Sequence, residues 1–250
     1  MFKKLLLLIA LSLAFIVAKA PASLLDSLLA HFTEGGLRLQ QAEGSLWHGR
    51  GVLASRAADG RSLTPWLPLG WHFDTAALTR LALGWSLDSA GTPLGQVEAG
   101  PTGLRLTQLA LHAPVDAAVS PLPHPAARAG WQGDLSLDSP AWHCPPDGRC
   151  SGEARLLWRG ARAALFPGRN FGDYEIHLQA KDGHLHYSLQ TLAGGVRAQG
   201  RGELAPGGLP SFDGQLSGDP EFLKRLPSIA AGAARPTGQP GQFEIHWPPR

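Results

Sequence analysis

Ionisable side chains are scarce in this chain of 250 residues: Asp, Glu, Lys and Arg together make up only 17%. With 44% hydrophobic residues, that shortage excludes a disordered acidic or basic tail protein. Cysteine is down to two residues, tyrosine to two and methionine to one. The formal charge of +2 does not extend into the body of the chain. Setting aside Lys3, Lys4 and Lys19 leaves 19 basic residues against 20 acidic, a net of −1. A near-neutral body lacks the electrostatic footprint of a nucleic-acid binder, and that class is excluded. Gly and Pro are plentiful, at 31 and 21 residues, but show no G-X-Y period, so a collagen is excluded as well.

Catalytic signatures are also missing. There is no Gly-x-Ser-x-Gly elbow, no phosphate-cradling Gly-Lys-Ser/Thr loop, no His-Glu-x-x-His and no Cys-x-x-Cys. Gly195 to Gly202 is glycine-dense without the dinucleotide-binding spacing, so those glycines read as sites of close strand packing. His184 and His186 share a strand face, as a metal pair would. They flank a turn opposite Leu185 and Tyr187, which makes them exposed polar positions. Asp134, Asp138, Asp173 and Asp182 would form a paired-carboxylate site only if the fold brought two together. The residues give no reason to pair them. No enzyme and no cofactor is expected.

The N-terminus addresses the chain to an envelope. Met1 to Lys4 is a short basic start, and Leu5 to Ala18 is an apolar run of fourteen residues. Two readings compete. As a secretory signal, the run has the right length and Ala18-Lys19-Ala20 fits a small-x-small cleavage site, which the residue rules favour. As an anchor it is short of the ~20 residues of a span, unless Lys19 snorkels and Ala20 to Leu25 extend it. Either way, Lys3 and Lys4 hold the start in the cytoplasm and the remainder is exported. The only cysteines, Cys144 and Cys150, frame Cys-Pro-Pro-Asp-Gly-Arg-Cys, a stretch able to curl on itself. In an oxidising compartment a disulfide between them is expected, closing a clip on a turn.

Leu24, Leu25, Leu28, Leu29 and Phe32 follow at helical spacing until Gly35-Gly36, and predict a short amphipathic helix. From there the period changes to two. Leu37 and Leu39; Leu81, Leu83, Trp85 and Leu87; Leu104 and Leu106; and Trp131, Leu135 and Leu137 each alternate with polar or small residues. So do Leu156 and Trp158; Tyr174, Ile176 and Leu178; Leu185, Tyr187 and Leu189; Val196 and Ala198; Phe212 and Leu216; and Phe243, Ile245 and Trp247. Asp182-Gly183 marks the clearest hairpin. About a dozen strands with one buried face predict a mainly β protein, a long twisted or rolled antiparallel sheet or open barrel. Residues 113–130 and 205–210 read as long loops, 219–232 as one short helical turn, and 233–241 as a flexible linker. The first loop divides the sheet into halves at 35–112 and 131–204.

Eight Trp against two Tyr is the unusual feature of the composition. Trp85, Trp131 and Trp158 alternate in phase with Leu and read as core. Trp47 lies in a segment with little core pattern, between glycines and beside Arg50, and has two readings: an indole packed under the first hairpin, or one offered to a partner.

The order of these features resembles the general secretion pathway protein N family, a type II secretion system component of Gram-negative bacteria. The apolar run leads into Pro21-Ala22-Ser23-Leu24-Leu25. Glu43-Gly44-Ser45-Leu46-Trp47-His48-Gly49-Arg50 then looks like the family's Gly-Thr/Ser-Leu-Trp-x-Gly signature. Leu69-Gly70-Trp71 and Trp142-x-Cys144 to Cys150-x-Gly152 follow in the right places. The resemblance implies a single-pass bacterial inner-membrane protein with a periplasmic β-rich domain, supporting export of folded proteins across the outer membrane. Residues 1–22 are then a retained signal-anchor, 23–34 the amphipathic helix and 35–250 the periplasmic domain. Its partners would be other type II secretion proteins, of the inner-membrane platform or linking to the secretin. Gly44, Leu46, Trp47, Gly49 and Arg50 become candidate interaction residues, and no catalytic residue is implied. Two further readings stand beside it: an AsmA-like envelope protein holding lipid in an apolar β-groove, and a periplasmic glycan binder presenting several Trp on one face.

Overall fold

The computed structural model describes residues 15–57, 60–120, 130–164, 166–223 and 233–248, together with residues 4, 11 and 12. Period-two alternation needs neighbours that bury one face of each strand, and a single sheet supplies them. Its strands are β1 (Leu37–Gly44), β2 (His48–Arg56), β3 (Leu63–Asp74), β4 (Leu83–Ser89), β5 (Thr92–Gly100), β6 (Gly103–Pro114) and β7 (Trp131–Cys144). They continue as β8 (Ser151–Ala163), β9 (Gly172–Lys181), β10 (His184–Ala193), β11 (Arg197–Leu204), β12 (Ser211–Ser217), β13 (Ala234–Pro236) and β14 (Gln242–Trp247). Every pairing is antiparallel, and each strand lies beside the next in sequence until the end, where the order is β12, β14, β13. The sheet is open: β1 and β13 are its two edges, so it does not close into a barrel.

Because the sheet is a meander, its turns alternate between two rims. One rim carries residues 45–47, 75–82, 101–102, 145–150, 182–183 and 205–210. It is called the upper rim below. At the Asp182-Gly183 turn both residues have positive φ, 53° and 84°, the backbone a two-residue hairpin loop requires. The apolar side chains line up across strands. Leu111, Leu137, Leu156, Ile176 and Leu189 stand in register over β6 to β10.

Four elements depart from the alternation. β2 is rich in glycine, and β3 holds Pro65 and Pro68. β3 pairs with β4 only over Gly70–Asp74, so the stretch with the prolines has one unpaired side, where a missing N–H costs nothing. The loop expected over 113–130 begins instead as an extension of β6 and helix α2 (Val115–Val119), and residues 121–129 lie outside the described residues. A five-residue helix is short, yet α2 touches β2 as well as β6 and β7. A flat sheet would hold β2 and β7 ~24 Å apart, so these strands must curl towards each other. The expected linker at 233–241 is not one throughout. It contains β13, paired with β14 from Ala234 opposite Ile245 to Pro236 opposite Phe243.

Helix α1 (Ser23–Phe32) precedes the sheet, a 3-10 turn spans Thr75–Arg80, and α3 (Pro220–Leu223) is the helical turn near the end. Most of the apolar run that would form the membrane helix lies outside the described residues. Among the described residues, no helix is long and apolar enough to cross a membrane. The buried side chains form two clusters. Ala22, Leu39 and Trp71 make one at the β1 end, with Leu25 and Leu29 of α1 against them. Phe166, Phe171, Tyr174, Val196, Leu216 and Leu223 make the other, joined by Trp131 and Trp158. There the Tyr174 hydroxyl donates to the Val196 carbonyl at 2.9 Å, and burial, aided by the charge of Asp173, pushes its pKa up to about 12.

Candidate functional site

The Gly44 to Arg50 block makes the turn between β1 and β2, and its chemistry lies mostly in its backbone. Gly44 and Gly49 face each other across the turn. Gly44 has φ +93°, and a Cβ on Gly49 would lie 2.5 Å from the Trp71 ring and 2.4 Å from the Glu43 carbonyl. Both positions therefore require glycine. Ser45 organises the turn. Its hydroxyl accepts from the amides of Trp47 (3.3 Å) and His48 (3.2 Å), while its own amide donates to the His48 carbonyl (2.9 Å).

Three indoles then close around this turn. Trp71 donates to the Ser45 carbonyl and Trp85 to the Leu46 carbonyl, each at 3.0 Å. Trp47 donates outward, to the carbonyl of Val17 at 2.9 Å. The Trp47 ring meets Phe73 edge-on at 4.9 Å and stacks parallel to Trp85 at 6.3 Å. Phe73 returns a main-chain bond, its amide donating to the Trp47 carbonyl at 2.7 Å. The Leu46 amide donates to Ala20 (2.8 Å), the Ala22 amide donates to Gly44 (3.2 Å), and Pro21 pairs with Ser45. Every main-chain N–H and C=O of Ser45, Leu46 and Trp47 thus has a partner, and four of these six partners lie outside the hairpin. The block is a receptor for residues 17–22, the end of the apolar run and the residues just after it. Ala20 and Ala22 are buried in consequence.

Helix α1 continues from this docked segment and is bound along the edge of β1. Asp26 accepts two bonds from the Arg38 guanidinium, at 2.8 and 2.6 Å, and one from the Leu39 amide at 2.8 Å. The Arg38 hydrogen bonds hold its carboxyl below the usual range, and the Leu39 amide and Arg38 charge add to this against the opposing effect of burial. The Thr33 hydroxyl accepts from the Leu37 amide at 3.0 Å. The outward amides of Leu37 and Leu39 are therefore occupied.

Of the sequence candidates, Gly44, Gly49 and Trp47 meet in this site, and Leu46 contributes its main chain. Arg50 does not belong to it: its exposed guanidinium pairs with Glu43 at 2.7 Å. Sequence reasoning missed Phe73 and Asp26, and took Trp85 for simple core. The signal available was Trp71-x-Phe73 sharing one face with Trp85, and Asp26 as the lone acid of a leucine-rich helix. Trp47 is half-buried: its ring packs on Phe73 and Trp85, and its N–H holds a separate segment of its own chain.

The other candidates do not converge. The imidazoles of His184 and His186 stack at 6.2 Å, both beside Glu203. Among the described residues, no group of three metal-ligating side chains occurs. Asp173 accepts from the Gly160 amide, Asp134 and Asp138 sit opposite Arg159 and Arg155, and Asp182 is in a turn. Cys144 and Cys150 are joined as a disulfide on the upper rim.

The family model described as "Type II secretion system (T2SS), protein N" matches residues 35–245, from just before β1 into β14. The match includes the whole of the Gly44 to Arg50 block and begins after α1. No curated protein and no solved structure matches the chain.

Proposed function

The chain belongs to the type II secretion system protein N family, and from that premise we propose that it is a non-catalytic, inner-membrane-anchored subunit supporting export of folded proteins across the outer membrane. Residues 1–22 are the anchor, and residues 35–250 form the periplasmic domain through which it meets other secretion subunits, of the inner-membrane platform or of the link to the secretin. The observation that carries this reading is the docking of residues 17–22 onto Gly44 to Trp47. A flexible tether or a cleavable leader needs no such seat. A subunit that fixes the position of a sheet relative to the membrane does.

The test is fractionation combined with a secretion assay. The chain should stay with the inner membrane through a carbonate wash, and cells without it should retain folded cargo in the periplasm. A soluble periplasmic product beginning at Pro21 would contradict the anchor. Normal secretion without the chain would contradict the role.

A second reading, lipid held in an apolar β-groove, is favoured by one observation. The sheet is open, and leucines of its apolar face such as Leu83 and Leu104 remain exposed. Acyl lipid co-purifying at a fixed ratio with the detergent-extracted chain would support it, and its absence from repeated preparations would remove it.

A further inference from the structure

The upper rim gathers exposed leucines at one place. Leu78 and Leu81, on the connection between β3 and β4, are 50% and 80% exposed, and Leu83 and Leu104 are 40% and 42% exposed. Register puts the last two on one face, on either side of Ala99: Leu83 opposes Ala99 on β5, and Ala99 opposes Leu104 on β6. Leu81 has φ +56°, a left-handed conformation that a bulky side chain rarely takes, and it projects from the tip of the rim. A water-facing turn would ordinarily place Gly or Asn there.

The location is also informative. The connection begins two residues after Phe73, whose ring meets Trp47, and Trp47 holds the carbonyl of Val17. Residues 15–18 are helical, with Phe15 and Ile16 each 65% exposed. The leucine patch and the point where the apolar run leaves the sheet therefore share one rim, joined by the Trp47–Phe73–Trp85 ring cluster. The acids beside the patch are engaged. Glu98 pairs with Arg80, and Asp74 accepts from the Ala76 amide. Lys19 and Arg105 are exposed nearby. Leucines at the tip, indoles behind them and basic residues at the margin form the pattern of a surface seated at a bilayer interface.

We propose that the upper rim around Leu78, Leu81, Leu83 and Leu104 rests in the interface of the same membrane that the apolar run enters, so that the strands stand steeply on the bilayer. This rests on the anchor reading above. It adds an orientation, and a lipid contact that the span alone does not supply.

Nitroxide labelling of the full chain in vesicles of phosphatidylethanolamine and phosphatidylglycerol tests it. The native cysteines are joined, so a single added cysteine takes the label, either at Leu81 or at Phe32, which is 80% exposed at the far end of α1. The Leu81 label should be more accessible to oxygen than to a water-soluble nickel chelate, and the Phe32 label the reverse. Vesicle flotation separates the two claims. If the chain floats while the Leu81 label is wet, or only the Phe32 label is immersed, the rim contact is wrong and the anchor stands. If the chain does not float, the anchor fails and the rim contact fails with it. Melting curves of the labelled chains must match the unlabelled one for either label to count.

Discussion

Trp47 does two jobs that substitution can separate. Its ring packs on Phe73 and Trp85, and its indole N–H reaches Val17. Trp47→Ala should cost about 3 kcal/mol, the low end for an aromatic truncation because the ring is only half-buried. Trp47→Phe should keep most of the packing and lose the Val17 bond, so its melting temperature should stay near wild type. Equal losses in both variants would mean that the hydrogen bond carries the whole effect. Glu175 is a second informative residue. Almost fully buried, it is surrounded by Gln190, His177 and Arg155. The Gln190 hydrogen bond is the largest influence holding its carboxyl below the usual range, with His177 and Arg155 acting in the same direction and burial opposing them. A carboxyl with a depressed folded pKa stabilises the fold above its unfolded pKa, about 4.3, and that contribution is lost as pH falls through the folded value. Melting temperature should therefore drop on acidification below about pH 4.5, and Glu175→Gln should flatten that drop. An unchanged acid profile in the variant would contradict the assignment.

At the scale of elements, the two sheet edges are protected by different means. β13 is three residues long and ends in Pro236, which has no N–H to offer. β1 is longer, and α1 covers it: Asp26 takes the Leu39 amide, Thr33 takes the Leu37 amide, and residues 20–22 pair with the end of the strand. Strand addition is thus blocked over Leu37 to Leu39 and at Gly44. Asp26→Ala should cost about 1–2 kcal/mol through the lost bonds and should free an edge amide, raising self-association at high concentration. Sedimentation and thermal melts check both, and a monomer of unchanged stability would show that α1 is held by its leucines alone. The disulfide fixes the turn from β7 to β8. Its loop is short, so replacing Cys144 and Cys150 with Ser should cost ~2–3 kcal/mol or less. A larger loss, with global unfolding, would show that the clip does more than close a turn.

At the scale of the molecule, the fourteen strands of the described residues, at ~4.8 Å spacing, make a curved contour of roughly 60 Å. Strands with Leu or aromatic alternation, such as Tyr174 to Ala180 and Leu185 to Leu189, were readable because side-chain period alone decides which face is buried. β2 and β3 were not, because their residues answer to neighbours distant in sequence. Gly49 is small to admit Trp71, and Pro65 and Pro68 are tolerated by an unpaired side that only the tertiary arrangement creates. α2 was hidden because five residues cannot show a helical period. The candidate site was half legible. The Gly-Ser-Leu-Trp block stands out in sequence, but its role is carried by main-chain bonds to residues 17–22, and composition does not reveal such bonds.

The central claim is that the block couples the membrane segment to the sheet. A short Gly/Ser insertion between Lys19 and Ala20 breaks that coupling, leaving the apolar run, Ala20 to Ala22 and the sheet unaltered. Secretion of folded cargo should be measured in cells where this form is the only copy, at matched protein level and melting temperature. The account predicts membrane retention as in wild type with secretion strongly reduced. Full secretion from the loosely tethered form would contradict it.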